Sequence, residues 1–171
     1  SNEESIGLTD DKYPLLLKPA NGSCSIGVTK VYNKKELMFF LEYLNDPIVQ
    51  EFIQGDEYTI DVLVDFYGRV QCAVPRLRIE TRAGEVSKAI TVNDKEIIDW
   101  SYKVAGLMDG AMGCITLQCF KQKKGELKFI EINPRFGGGF PLTAAAGANY
   151  PLWILQMLSD QSIQTDMQAQ W

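Results

Sequence analysis

The feature that most constrains the fold of this chain is a segment in its second half with the pattern of a two-stranded β-hairpin. Cys114–Phe120 is rich in β-branched and apolar residues, and Leu127–Asn133 alternates apolar with polar side chains. Lys124-Gly125, between the two runs, is typical of a tight turn. The segment therefore predicts two paired antiparallel strands.

The register of that hairpin predicts a metal site. A two-residue turn at Lys124-Gly125 sets Gln118 opposite Glu131 and places Thr116 opposite Asn133, all on one face of the strands. A carboxylate among neutral oxygens suits a hard cation such as Mg²⁺ completed by phosphates and water. The alternative, at even weight, is a half-buried hairpin with a solvated polar face.

Composition narrows the class of protein. The 171 residues are 46% hydrophobic and 23% charged, enough for one core or for two small lobes. A net charge of -5 argues against a nucleic-acid surface, and the absence of histidine excludes imidazole bases and zinc ligands. Four cysteines without C-x-x-C spacing and no apolar run near 18 residues favour a cytoplasmic protein with reduced thiols and no membrane contact.

The hydrophobic pattern predicts an α+β fold in which short strands and helices precede longer antiparallel strands. Two helices are predicted at 33–44 and 94–108, capped by Asn33 with Glu36 and by Asn93 with Glu96. Their predicted core-facing residues are Leu37, Phe40, Leu41 and Leu44 in the first helix, and Ile97, Trp100, Val104 and Leu107 in the second. Strands are predicted at 13–19, 28–32, 48–53, 57–64 and 69–74, and short helices at 142–146 and 151–158. The charged stretch 75–92 is left open between loop, edge strand and mobile flap.

A small-residue loop follows Lys18 and offers a second chemical signal. Backbone N–H groups at 20–27, with the hydroxyls of Ser23 and Ser25, can approach phosphate oxygens closely. The loop does not match the P-loop or dinucleotide-binding patterns, and an ordinary hairpin turn is the more frequent reason for such a sequence.

In chain order, these segments resemble one family. They are LLLKPANGSCSIG at 15–27, VQEFIQGDEYTID at 49–61, Gln118, and EINPR at 131–135. Together they resemble an ATP-grasp nucleotide-binding domain, in particular the ATP-binding domains of the carbamoyl-phosphate synthase large chain and related carboxylate-amine ligases. The resemblance covers residues 13–158.

The resemblance implies roles for individual residues. Lys18, Ser23, Ser25 and Gly27 would hold ATP phosphates; the carbonyl of Glu51 and the N–H of Ile53 would contact adenine; and Glu57 would accept from the ribose hydroxyls. Gln118, Glu131 and Asn133 would bind Mg²⁺ or Mn²⁺, with Thr116 a doubtful ligand. Arg135 would stabilise the transferring phosphoryl group, and Arg82 would contact phosphate or the acceptor carboxylate. Base rates for surface charge favour a solvated, mobile position for Arg76 and Arg78.

The resemblance also implies an architecture and a reaction. A small lobe at 13–54 and a large lobe at 55–158 would enclose the nucleotide, with 1–12 as a leader and 159–171 as a polar tail. A carboxylate or bicarbonate would be activated as an acylphosphate and attacked by an amine or ammonia. The family's upstream α/β domain and its second cationic residue are not in this sequence, so we expect a portion of a larger enzyme. The alternatives are a nucleotide-binding module without turnover and an unrelated metal phosphotransferase.

Overall fold

The structure, a computed structural model, describes residues 12–21, 26–82, 84–163 and 165. Contacts divide the chain into two compact units, one formed by Ser1–Ile53 with Ala83–Glu85 and the other by Gln54–Arg82 with Val86–Trp171. Both contain antiparallel sheets with helices, which confirms the predicted α+β class. No helix in the described ranges is long and apolar enough to span a membrane.

The first unit holds a three-stranded sheet and one helix. Its elements are β1 (Leu15–Pro19), β2 (Thr29–Val31), α1 (Lys34–Tyr43) and β3 (Pro47–Glu51), and β1 lies between β2 and β3. The helix begins as predicted, because the Asn33 side chain accepts from the Glu36 N–H at 2.9 Å. Leu37 is buried with Leu15, Leu17 and Val31, and the remaining residues of the predicted stripe pack against this core.

The second unit holds a five-stranded antiparallel sheet in the order β6-β5-β4-β7-β8. Its strands are β4 (Asp56–Val64), β5 (Val70–Arg82), β6 (Glu85–Thr91), β7 (Gly113–Lys121) and β8 (Leu127–Asn133). Its helices are α2 (Lys95–Gly106), α3 (Phe140–Ala145) and α4 (Tyr150–Leu158). Of the alternatives for 75–92, the edge strand is confirmed, since β5 continues to Arg82 and β6 borders the sheet.

The two sides of this sheet are covered differently. On one side, α2 packs its buried face against alternate residues such as Ile60, Val62 and Leu117. On the other, α3 and α4 cover only one end, where Phe140 and Tyr150 join Leu63 in a second apolar cluster. The middle of that second side carries polar residues, such as Thr59, Asp61 and Gln118.

Three predictions about α2 are corrected. Asp94, rather than Asn93, caps the helix by accepting from the N–H groups of Glu96 and Ile97. Trp100 and Leu107 were expected in the core, but they are 45% and 84% exposed. The buried stripe instead combines Ile97 with two small residues, Ser101 and Ala105, which let the helix approach the sheet closely.

Candidate active site

Alternation along the strands of the second unit creates a surface that we call the polar face, the side of the five-stranded sheet opposite α2. It carries Glu57, Thr59 and Asp61 on β4, Arg76 and Arg78 on β5, Thr116 and Gln118 on β7, and Glu131 and Asn133 on β8. All three residues predicted to bind metal, Gln118, Glu131 and Asn133, therefore share one surface with Glu57, the candidate ribose ligand.

The predicted hairpin register is confirmed where it matters for the site. Gln118 pairs with Glu131 and Thr116 pairs with Asn133. Asn133 Nδ2 donates to Glu131 Oε1 at 2.8 Å, which turns the amide oxygen of Asn133 away from that carboxylate. We call Gln118, Glu131, Asn133 and Arg135 the open cluster, because Glu131 and Arg135 are exposed and the two amides are half-buried.

The details of the hairpin differ from the prediction in two ways that cancel. The loop has three residues, 123–125, closed by bonds between Gln122 and Glu126 and between Gly125 and Gln122, with Gly125 at φ +89. A bulge then leaves Ile130 between two paired positions of β8, because Gln118 faces Glu131 while Cys119 faces Phe129. Each deviation shifts the register by one residue, in opposite directions.

Glu57 lies beside the open cluster and has an altered acidity. Its carboxylate is 3.0 Å from Arg78 Nη1, and its side chain is 27% exposed. Burial is the main cause that raises the pKa of Glu57; Glu131 raises it further, and Arg78 opposes both. The strand register gives the geometric reason, since Glu57 lies two residues along β4 from Thr59, the partner of Gln118, which in turn pairs with Glu131.

A second group, which we call the buried cluster, consists of Asp61, Arg76, Thr116, Thr143 and Tyr150, each at most 2% exposed. Asp61 accepts from Arg76 Nε at 2.9 Å and Nη2 at 3.2 Å, and from the hydroxyl of Thr143. The Tyr150 hydroxyl donates to the Asp61 carbonyl at 3.0 Å. The solvated position expected for Arg76 is therefore wrong, as it is for Arg78, whose side chain is 7% exposed.

Thr116 joins the two clusters. Its hydroxyl lies 2.8 Å from the carbonyl oxygen of Arg135 and 3.3 Å from Asp61 Oδ1. The hydroxyl is thus engaged within the protein, which accounts for its doubtful standing as a metal ligand. Sequence reasoning missed this role, although Asp61 in the apolar run of β4 signalled that a buried partner was needed.

The glycine loop after Arg135 lies directly on the buried cluster. A Cβ at Gly137 would be 3.2 Å from polar atoms of Asp61, Arg76 and Thr116. A Cβ at Gly139 would be 2.1 Å from Arg76 Nη1, a distance that no side chain can adopt. Glycine is required at position 139 for close approach rather than for backbone freedom.

The open cluster fits a hard divalent cation. It offers one carboxylate and two amide oxygens, with Glu57 nearby, and oxygen ligands of this kind suit Mg²⁺ when phosphates and water complete the shell. Across the described ranges, no group of three or more His, Cys, Asp or Glu side chains could hold a metal by itself. Burial raises the pKa of the Cys114 and Cys119 thiols to about 12, so neither is a nucleophile at neutral pH.

The structure does not bring Arg82 to the open cluster. Arg82 ends β5 beyond the start of β4, and its 80% exposed side chain pairs with Glu80, which also binds Lys88 at 2.8 Å. Nearer the glycine loop lies a cavity of about 560 Å³. It is lined by Arg76, Ile79, Val86, Ser87, Lys88 and Ala89 from β5 and β6, and by Gly138, Gly139, Pro141 and Leu142.

The remaining predicted nucleotide-binding residues lie in the first unit. Lys18 is half-buried near the end of β1, and Gly27, at φ +77, packs against Pro19. Glu51 pairs with Leu15 at the other end of β1, so Lys18 and Glu51 are three residues apart along the sheet. Ile53 follows β3. Ser23 and Ser25 lie outside the described residues.

Comparison with known proteins identifies the family to which this chain belongs. A profile of the family described as "ATP-grasp in the biosynthetic pathway with Ter operon" matches residues 44–171. The D-alanine–D-alanine ligase of Pseudomonas entomophila is 25% identical over 167 residues, which cover 86% of this chain and 52% of the ligase. The chain thus spans about half the length of this curated relative.

Solved structures show the same fold. The biotin carboxylase domain of Hydrogenobacter thermophilus 2-oxoglutarate carboxylase superposes with a TM-score of 0.77 at 22% identity, over 92% of this chain and 39% of that one. The L-amino acid ligase of Bacillus licheniformis gives a TM-score of 0.61 at 23% identity, over 84% and 38%. The profile match, which covers most of the chain, establishes that the chain belongs to the ATP-grasp family.

Proposed function

We propose that this chain is the nucleotide- and metal-binding part of a ligase that uses ATP and Mg²⁺, or Mn²⁺, to activate a carboxylate or bicarbonate as an acylphosphate. The observation that carries the proposal is the open cluster, where Gln118, Glu131 and Asn133 converge in register on one face with Glu57 close by. A module that only bound adenine would not require this arrangement of metal-type ligands.

The residues divide the work by their chemistry. In the second unit, Glu131, with the amide oxygens of Gln118 and Asn133, would hold the cation, and Glu57 would accept from ribose hydroxyls. In the first unit, Lys18 and Gly27 would bind phosphates, while the backbone of Glu51 and Ile53 would contact adenine. Ser23 and Ser25 belong to the same proposed phosphate loop.

The proposed reaction needs no protein nucleophile. A carboxylate oxygen of the acceptor attacks the γ-phosphorus, the bond to the bridging oxygen breaks, and ADP leaves. An amine or ammonia then attacks the acyl carbon, expels inorganic phosphate and loses a proton. When bound, the cation neutralises charge on the phosphates, and the exposed guanidinium of Arg135 stabilises the transferring group.

The carboxylate that accepts the γ-phosphoryl group is the next question that the proposal raises. Two of the similar proteins are named as amino-acid ligases, and one similar structure is a carboxylase with MgADP and bicarbonate. The candidate acceptors are therefore amino acids, other carboxylic acids, and bicarbonate as in the carbamoyl-phosphate synthases. The cavity beside the glycine loop, with Ile79, Val86 and Leu142 in its walls, favours an acid with an apolar body over bicarbonate.

Trapping of the acylphosphate tests the reaction. The full-length protein is incubated with ATP, Mg²⁺, hydroxylamine and a panel of carboxylic acids, and hydroxamate and ADP are measured; bicarbonate is scored by ADP release alone. We expect acid-dependent product in the wild type and a loss of about 100-fold or more in Glu131→Gln. Glu126→Gln is the matched control, since Glu126 lies on the same hairpin and pairs with Lys128.

The outcomes separate the alternatives. ATP binding without acid-dependent ADP release would favour a nucleotide-binding module. Equal turnover by Glu131→Gln and Glu126→Gln would remove Glu131 from the metal site.

Gly138→Val tests the acceptor: no atom lies within 4 Å of a Cβ there, so the variant narrows the cavity without a clash. It should lower kcat/KM for bulky acids more than for acetate.

A further inference from the structure

Thr116 occupies a position between two sites of different character. It pairs directly with Asp61 on one neighbouring strand and with Asn133 on the other. Its hydroxyl has a single proton, and the shorter of its two contacts, at 2.8 Å, is with the carbonyl oxygen of Arg135, 19 residues further along the chain. This hydrogen bond connects the sheet to the main chain that carries Arg135.

The anchor behind Thr116 is rigid. The Asp61 carboxylate receives two hydrogen bonds from the Arg76 guanidinium and one from Thr143, and all three residues are at most 1% exposed. A charge-assisted bidentate pair inside a packed interior has one geometry, because any displacement would leave buried charges unsatisfied. Thr116 is held beside this pair by the strand ladder, in which it lies directly opposite Asp61, and its Oγ1 packs 3.3 Å from Asp61 Oδ1 while its proton goes to the Arg135 carbonyl.

The chain after Arg135 follows the same surface. Gly137 lies against Asp61, Arg76 and Thr116, and Gly139 lies against the guanidinium of Arg76. In contrast, the Arg135 side chain is exposed, and its Nη1 donates locally to the carbonyl of Phe136 at 3.2 Å. The position of the Arg135 side chain is therefore set by the main chain that carries it.

We propose that Thr116 is a positioning residue, which uses its hydroxyl to transmit the fixed geometry of the buried Asp61–Arg76 pair to the main chain at Arg135. In this way Thr116 fixes the position of the Arg135 guanidinium relative to Glu131 and Asn133, the proposed metal ligands on β8. The proposal rests on the proposed ligase function for its catalytic consequence, but its structural content stands on the hydrogen bonds alone.

Thr143 provides a matched control. Its hydroxyl is equally buried and bonds the same carboxylate, yet it makes no contact with Arg135 among the hydrogen bonds of the described residues. Thr116→Val and Thr143→Val each remove one buried hydroxyl from Asp61, and Thr116→Ser restores the bond to Arg135. A merely structural role for Thr116 would make the two valine variants behave alike.

Hydrogen exchange of the full chain, followed by NMR, tests the structural content. The informative amides are those of Arg135 and Phe140, which donate to the carbonyls of Asn133 and Gly137. We expect Thr116→Val to speed their exchange by about tenfold or more, and Thr116→Ser and Thr143→Val to stay within about twofold of wild type. Equal acceleration in both valine variants, or none in either, would overturn the proposal.

Kinetics of the full-length protein test the catalytic consequence. Thr116→Val should lower kcat by about 10- to 100-fold while KM for ATP changes by less than about twofold, and Thr116→Ser should recover most of kcat. A change in KM alone, or an equal loss in Thr143→Val, would contradict positioning. If the wild type turns over no acid at all, the proposed function fails, and the exchange result still decides the role of Thr116.

Discussion

The buried cluster and the open cluster share one side of the same sheet, yet their polar atoms have different surroundings. Asp61, Arg76 and Thr116 direct their polar atoms at one another in the interior, whereas Gln118 and Glu131, paired with each other toward the edge strand β8, present oxygens at a surface that solvent reaches. Polar residues whose hydrogen bonds are satisfied within the protein specify a structure. Polar residues left with accessible oxygens are the ones available to a ligand.

The largest effect that separates the clusters should be on stability. Asp61→Ala leaves the guanidinium of Arg76, which is 1% exposed, without its carboxylate, and we expect a loss of about 3–5 kcal/mol in the free energy of unfolding. Glu131→Gln on the exposed row should change it by less than about 0.5 kcal/mol. Denaturant unfolding measures both values.

A double variant sharpens that prediction. Replacing both partners, in Asp61→Leu with Arg76→Met, removes the buried charges together, and we expect it to recover much of the stability lost in Asp61→Ala. Similar unfolding free energies for Asp61→Ala and Glu131→Gln would mean that the two clusters do not differ as the structure indicates.

The glycine loop gives an intermediate effect with its own control. Gly139→Ala places a Cβ 2.1 Å from a guanidinium that Asp61 holds in place, so the loop must shift, at a cost of about 1–3 kcal/mol. Gly138→Ala meets no atom within 4 Å and should be nearly neutral. Thermal unfolding compares the two, and an equally stable Gly139→Ala would show that the loop does not rest on the buried pair.

The smallest expected effect is on the acidity of Glu57. Glu131 raises the pKa of Glu57 and Arg78 lowers it, so Glu131→Gln should move that pKa down and Arg78→Gln should move it up. Carboxyl-carbon NMR titration measures both shifts, with Glu126→Gln as the unchanged control. Shifts of the same sign would contradict the electrostatic arrangement.

The pKa of Glu57 also predicts a pH dependence of stability. Because folding raises this pKa above its ordinary value of 4.5, the folded state holds a proton that the unfolded state has lost at pH values between the two. The contribution of the Glu57 carboxyl to the free energy of unfolding is fully present below pH 4.5, and it is lost as the pH rises through the pKa of the folded state. Glu131→Gln should narrow that window.

Local patterns predicted much of this fold because they depend on neighbouring residues. The Asn33 cap, the α2 segment and the pairing of Gln118 with Glu131 all follow from short-range periodicity. Trp100, in the middle of α2, and Leu107, at its C-cap, were misplaced because an apolar residue on a helix does not by itself reveal whether a partner covers it. Here the small side chains of Ser101 and Ala105 face the sheet instead.

The buried cluster could not be predicted because its members come from distant parts of the chain. Arg76 and Arg78 alternate with apolar residues and match an exposed strand, but the fold places Asp61 and the glycine loop against Arg76 and Glu57 against Arg78. Asp61 stands out in the sequence as a charged residue within an apolar run, but the sequence contains 17 lysines and arginines and does not say which of them pairs with it. Tertiary contacts alone select Arg76.

The bulge at Ile130 and the turn at the tip are the two places where this hairpin can change length without turning its side chains over. Deleting Ile130 would make Phe129 and Glu131 neighbours, and they would still face opposite sides of the sheet, as they do now. Deleting Ile132 instead would turn Asn133 away from the side that Glu131 occupies, since side chains switch sides with every residue. Homologous hairpins should therefore vary in length at the tip and at the bulge, and keep their residue count from Glu131 to Asn133.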